Sequence, residues 1–252
     1  MEEGSVNLNI KNGIGTIEFY HPQSNSLPAN VLKNLAQTII SSGKNKDIRV
    51  IILKSKGDRV FCAGASFQEL SDISNTKQGK EFFMGFANVI NAARECPKLI
   101  IGRVQGKAVG GGVGMVCATD YCYATKYAAV KLSELSIGIG PFVVGPAVER
   151  KAGLSAYSTL AINATKWFSA EWAKQKGIYS EVFETVEQMD HEISEIASKL
   201  EKSNPQAMQK LKEVFWSDYK NWDQLLKKRA EFSGELILSN FTKEAISRFN
   251  TK

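Results

Sequence analysis

Short β-branched or alternating runs of apolar residues fill the first half of the chain, and apolar residues at helical spacing fill the second. Residues 6–10 and 16–19 alternate around Asn12-Gly13, a dipeptide that tolerates left-handed backbone at both positions, which predicts a hairpin. Pro28 is placed to open a helix running to about Ser41, with Val31, Leu32, Leu35 and Ile39 on one face. Residues 49–54 hold a nearly continuous apolar run, the pattern of a strand buried on both faces. Further strands are predicted at 99–104 and 121–124, with helices over 80–93 and from about Gly111. Strands separated by helices predict an α/β fold with a parallel sheet and right-handed crossovers. From residue 168 onward the period changes. Residues 168–176, 186–202, 205–219, 222–238 and 242–249 read as helices, the last with Thr242 as its N-cap. No repeat or low-complexity stretch interrupts this order.

Composition excludes some classes of protein. With 252 residues, 43% hydrophobic and 23% charged, the chain can bury a core without a metal or disulfide staple, and it is neither disordered nor fibrous. The longest apolar stretches (50–53, 99–101 and 113–118) fall far short of the roughly 20 residues that span a bilayer. No basic segment followed by an apolar run opens the chain, so no signal peptide and no membrane partner are expected, and the expected location is cytoplasmic. The net charge of +6 suits a polyanionic small molecule such as a nucleotide or coenzyme A, or simply a solvated basic surface. No basic run is interleaved with aromatics, so no nucleic-acid partner is expected. Cys62, Cys96, Cys117 and Cys122 sit in apolar surroundings without metal-ligand spacing and read as buried thiols. With only His21 and His191, a multi-histidine metal site is excluded, and no metal is expected.

Two small-residue clusters carry the chemical signal. Phe61-Cys62-Ala63-Gly64-Ala65-Ser66 follows the 49–54 strand and its loop, and Gly106-Lys107-Ala108-Val109-Gly110-Gly111-Gly112 follows the 99–104 strand. Residues without bulk let a ligand approach backbone N–H donors, and two such loops facing each other bind a developing oxyanion. Taken singly, each cluster also fits a tight structural turn. Neither a GxGxxG fingerprint nor a GK[ST] sequence is present, which argues against a dinucleotide or a P-loop site.

With these motifs in order, the chain resembles the crotonase family, the enoyl-CoA hydratases and isomerases, from about Val6 to Phe249. His21-Pro22 and Asn25-Ser26-Leu27 are similar to the family's N-terminal "RP…NAL" segment, and Phe61 to Ser66 to its "FCAGAD". Gly106 to Gly112 is similar to "GxAxGGG", with Asp120 where the family usually has an aspartate after that helix. Ser133-Glu134 with Gly138 and Pro141 is similar to "PExxxGxxP", and Trp172 to Tyr179 to "EAxxxGLV". The resemblance implies a ββα spiral core, assigned to residues 1–195, and a helical C-terminal trimerisation region, 196–252. It implies a homotrimer or hexamer, and an acyl-CoA thioester as substrate with no separate cofactor. It places the two oxyanion-hole amides on Ala65 and Gly111, and substrate contacts on Ala63, Ser66, Gly110, Gly114, Ile137 and Phe142.

The departures from the family pattern bear on mechanism. Family hydratases carry two glutamates; here the first position is Gly114 and the second is Glu134. A single carboxylate can move a proton from one carbon to another, so double-bond isomerisation is expected ahead of hydration. Decarboxylation and a catalytically silent acyl-CoA-binding role are the alternatives. Glu134 is expected in a pocket between Ile137, Phe142 and the glycine loops, where burial raises its pKa. Ser66 stands where the family has aspartate. The bulky Gly140-Pro141-Phe142-Val143-Val144-Gly145-Pro146 resembles the branch acting on methylglutaconyl-CoA and similar carboxylated thioesters. Glu69, Asp72 and Glu149 are expected to be surface or ion-pair residues, and Lys56, Arg59 and Lys252 are candidates for meeting CoA phosphates.

Overall fold

The computed structural model describes residues 4–217 and 221–250. Strands β1 (Ser5–Lys11) and β2 (Ile14–Tyr20) form the expected hairpin, turning on Asn12 and Gly13 at φ 50° and 73°. Positive φ at both turn residues matches the strand twist, which is why Asn-Gly closes two-residue hairpins. After β3 (Ser26–Leu27) comes α1 (Ala29–Lys44), whose buried Val31, Leu32, Leu35 and Ile39 form the apolar face read from sequence. Next are β4 (Val50–Ser55), β5 (Val60–Cys62), β6 (Gly64–Ala65), α2 (Phe67–Ser71) and α3 (Thr76–Glu95). The chain continues through β7 (Ile100–Val104), β8 (Lys107–Val109), α4 (Gly111–Cys117), β9 (Tyr121–Thr125) and β10 (Val130–Lys131) to a 3₁₀ turn at Glu134–Ile137. It ends with α5 (Gly145–Ile162), α6 (Ala170–Gln175), β11 (Glu181–Phe183), α7 (Val186–Glu201), α8 (Pro205–Phe215), α9 (Trp222–Leu236) and α10 (Asn240–Asn250).

The main sheet has the order β1-β2-β4-β7-β9-β11, parallel throughout except for the hairpin. β4 is covered on both sides, with Ile51 and Leu53 in the main core and Val50 packed with Met189, Ile193 and Ala197 of α7. That two-sided burial explains why its sequence does not alternate. Two small sheets, β10-β8-β5 and β3-β6, hold the glycine loops. Among the described residues no helix is long and apolar enough to cross a membrane.

The structure corrects the element reading in three places. The 18-residue α5 was not read from sequence. Gly153 breaks it at φ 80°, Gly145-Pro146 opens it, and Leu154 and Ile162 are exposed apolar residues that blur any single face. Helix α10 begins before Thr242: Ser239 Oγ accepts from Thr242 N–H at 3.3 Å and is the cap, while Thr242 is buried and lies against Gly138. Glu195, the last residue of the expected core, lies within α7. The last residue of the expected 205–219 helix, Tyr219, lies outside the described residues, and α8 itself ends at Phe215.

Two contacts fix the C-terminal helices. Lys212 of α8 and Asp120 form a buried ion pair at 2.8 Å, both side chains 3% exposed. Asp120 also accepts from Ile100 N–H and Trp216 Nε1, and Lys212 donates to Lys98 O, so the pair is satisfied on all sides. Helix α9 crosses α3 at Gly234 and Gly79, where a methyl on Gly79 would fall 2.7 Å from Gly234 Cα. Only glycines permit so close an approach.

Candidate active site

One cavity of about 80 Å³ lies where the two glycine loops meet the 3₁₀ turn. β6 pairs with β3 in parallel, and Ser66 N–H donates to Leu27 O. Successive N–H groups along a strand face opposite sides, so the Ala65 N–H points away from β3. Gly110 (φ 52°, ψ −118°) turns the chain from β8 into α4 and offers no side-chain cap. Gly111 opens that helix, and the first N–H groups of a helix have no partner within it. The two loops touch: a methyl on Gly64 would lie 3.2 Å from Val109 O and 3.9 Å from Gly111 N. Behind Gly111 stands Phe86, whose ring would be 2.2 Å from any Cβ there.

Glu134 enters this space from the first residue of the 3₁₀ turn. Its carboxylate rests on Gly110, with Oε1 2.9 Å from where a Cβ would be, and Oε2 is buried without a hydrogen-bond partner. Burial pushes its pKa up to about 7, opposed in part by a hydrogen bond from its own backbone N–H. Glu134 is the single carboxylate among the described lining residues, which are otherwise apolar or small, with the hydroxyls of Ser133 and Ser233.

The sequence carries a family signature. The model of the family described as "Enoyl-CoA hydratase/isomerase" matches residues 9–252. The chain belongs to that family. This is the crotonase resemblance read from the motifs. A probable enoyl-CoA hydratase of Bacillus subtilis is 24% identical over 98% of this chain and 96% of its own. The peroxisomal Δ3,5-Δ2,4-dienoyl-CoA isomerase of Arabidopsis thaliana is 26% identical over 88% of this chain and 84% of its own. The solved enoyl-CoA hydratase of Bacillus halodurans superposes with a TM-score of 0.89 at 21% identity, over 96% of this chain and 99% of that one. Relatives with both hydratase and isomerase names leave this crotonase-family enzyme's reaction to its own residues.

Of the residues expected to form the site, Ala63, Ala65, Gly110, Gly111, Glu134, Ile137 and Phe142 line the cavity. Two do not. Ser66 is the N-cap of α2, its hydroxyl accepting from Glu69 N–H, and it is buried away from the cavity. Gly114 is screened from it by Val144, whose Cγ1 would lie 2.5 Å from a Cβ on Gly114, with Ile90 Cδ1 at 3.4 Å. The space that a side chain at 114 would enter is therefore filled. The other acids are accounted for. Glu69 accepts from Ala29 N–H at 2.8 Å and caps α1, Asp72 is the C-cap of α2, and Glu149 is exposed on α5. Lys56 and Arg59 are exposed, and Lys252 lies outside the described residues.

Sequence reasoning missed Val144, Phe86 and Ser233. Phe86 belongs to the apolar face of α3, where core and cavity residues follow the same period. Ser233 comes from α9, about a hundred residues beyond Glu134, and only the glycine crossing brings it to the site.

Proposed function

We propose that this enzyme is an enoyl-CoA isomerase in which Glu134 alone carries the proton. The thioester oxygen sits between the N–H groups of Ala65 and Gly111, which stabilise the enolate charge as it forms. The Glu134 carboxylate takes a proton from the α-carbon of a β,γ-unsaturated thioester, giving a dienolate. Glu134, now neutral, returns the proton at the γ-carbon. The double bond has moved into conjugation, and no proton is gained or lost. The observation carrying this reading is Val144 standing where a second glutamate would project from position 114. Hydration, which divides the handling of water and proton between two carboxylates, is the less supported reaction here, and decarboxylation needs no base and leaves Glu134 without a task. A water-soluble thioester and four free, buried thiols fit a cytoplasmic enzyme. The exposed apolar side chains of Leu135, Leu154, Ile162 and Phe241 support assembly into a homotrimer or hexamer.

The test is to mix the protein with a β,γ-enoyl-CoA and follow the ultraviolet absorbance of the conjugated thioester. The expected result is a rise that Glu134→Gln slows by about 10²–10⁴ while acyl-CoA binding persists. A rate unchanged in Glu134→Gln rules Glu134 out as the base. Binding without turnover in the parent protein points to a silent acyl-CoA-binding homologue.

A further inference from the structure

We infer that the acyl group accepted by this site is short and uncharged, and that Val144 and Phe142 set both limits. The inference rests on the site being an acyl-CoA site, as proposed above. Its first support is size. The cavity, at about 80 Å³, is small. A short acyl group fits such a space, and a long one meets its walls.

The second support is that the walls are fixed. Val144 is wedged against Gly114 and is 3% exposed, so it has no empty space behind it to retreat into. Phe142 meets Phe232 of α9 edge to face at 5.9 Å, and Phe232 reaches it because α9 is held close to α3 at the glycine crossing. Phe86 closes the side behind Gly111. Interiors packed in this way yield to a longer chain only by displacing side chains that are already in contact.

The third support is charge. No lysine or arginine lines the cavity among the described residues, and the one ionisable group there is Glu134. The Ser233 hydroxyl is engaged with Arg229 O at 3.3 Å. A carboxylate at the end of an acyl tail would be buried without a cation and beside another carboxylate. The bulky 140–146 segment, which in sequence resembles the branch handling carboxylated thioesters, here builds an apolar wall instead.

The experiment measures dissociation constants of saturated, unreactive thioesters by calorimetry: pentanoyl-CoA, glutaryl-CoA, which is the same length with a terminal carboxylate, and decanoyl-CoA. Glutaryl-CoA and decanoyl-CoA are each expected to bind about tenfold or more weakly than pentanoyl-CoA. Val144→Ala is expected to strengthen decanoyl-CoA binding selectively, and Phe142→Leu serves the same purpose if the first variant does not fold. Equal affinity for pentanoyl-CoA and glutaryl-CoA overturns the charge limit. Decanoyl-CoA binding as tightly as pentanoyl-CoA in the parent, or no selective gain in a folded variant, overturns the size limit. If none of the thioesters binds, the acyl-CoA reading falls with the inference. If pentanoyl-CoA binds selectively but no enoyl-CoA is isomerised, the isomerase reading falls and the acyl limits stand.

Discussion

A carboxylate that must accept a proton and then give the same proton back works best where its two forms are nearly equally populated at the working pH. Burial places Glu134 there, at about 7 against an ordinary 4.5. In the proposed role of base it acts only when ionised, so kcat/KM for a β,γ-enoyl-CoA is expected to rise with pH through about 7 and level off above it; a profile flat down to pH 5 would mean another base. The same burial has a cost in stability. Because the folded value lies above the unfolded one, stability is complete below about 4.5 and is lost as pH rises to about 7, on the order of 3 kcal/mol. Glu134→Gln removes that loss, so its melting temperature is expected to exceed the parent's at pH 8 and the gap to shrink toward pH 4.5. That Glu134, Ala65 and Gly111 share one cavity was legible in the sequence, because each stands in a motif whose spacing is local. Val144 was not, since its role is to fill the space left by a side chain missing 30 residues earlier.

Elements whose signals are local formed as the sequence indicates: the Asn-Gly hairpin, the apolar face of α1, and the buried run of β4. The distant contacts that fix some of these elements did not announce themselves. Helix α1 is capped by Glu69, a residue 40 positions away, and nothing near Pro28 reveals it. Helix α8 is anchored by Lys212, which reads in sequence as one more solvated lysine and is in fact paired with Asp120 in the core. Removing one member of a buried pair strands the other. Asp120→Ala is therefore expected to lower unfolding free energy in denaturant titrations by about 3–5 kcal/mol. The exposed pair Glu195–Lys199 in α7, at 4.0 Å, gives the contrast, and its loss is expected to change stability by less than about 0.5 kcal/mol. Similar costs for the two would mean that the buried pair does not anchor α8.

For the molecule as a whole, the α/β fold and the helical second half were legible because periodicity reports which face is buried. How the two halves meet was not legible, since packing between helices leaves no period of its own. Exposed Leu135 and Phe241 lie on the 3₁₀ turn and on α10, so subunit contacts there would adjoin the element that carries Glu134. Light scattering at working concentration is expected to give the mass of a trimer or hexamer, and a monomer's mass would remove assembly from the proposal. The glycine crossing of α3 and α9 has a consequence for how such a site changes. The spacing of these two helices bears on how Phe232 meets Phe142 and where Ser233 stands, and so on the depth of the cavity. A single added methyl at Gly79 or Gly234, which the substrate never meets, would separate the helices and alter which thioesters fit. In such a protein, substrate range can drift through positions that a search of the cavity lining alone would pass over.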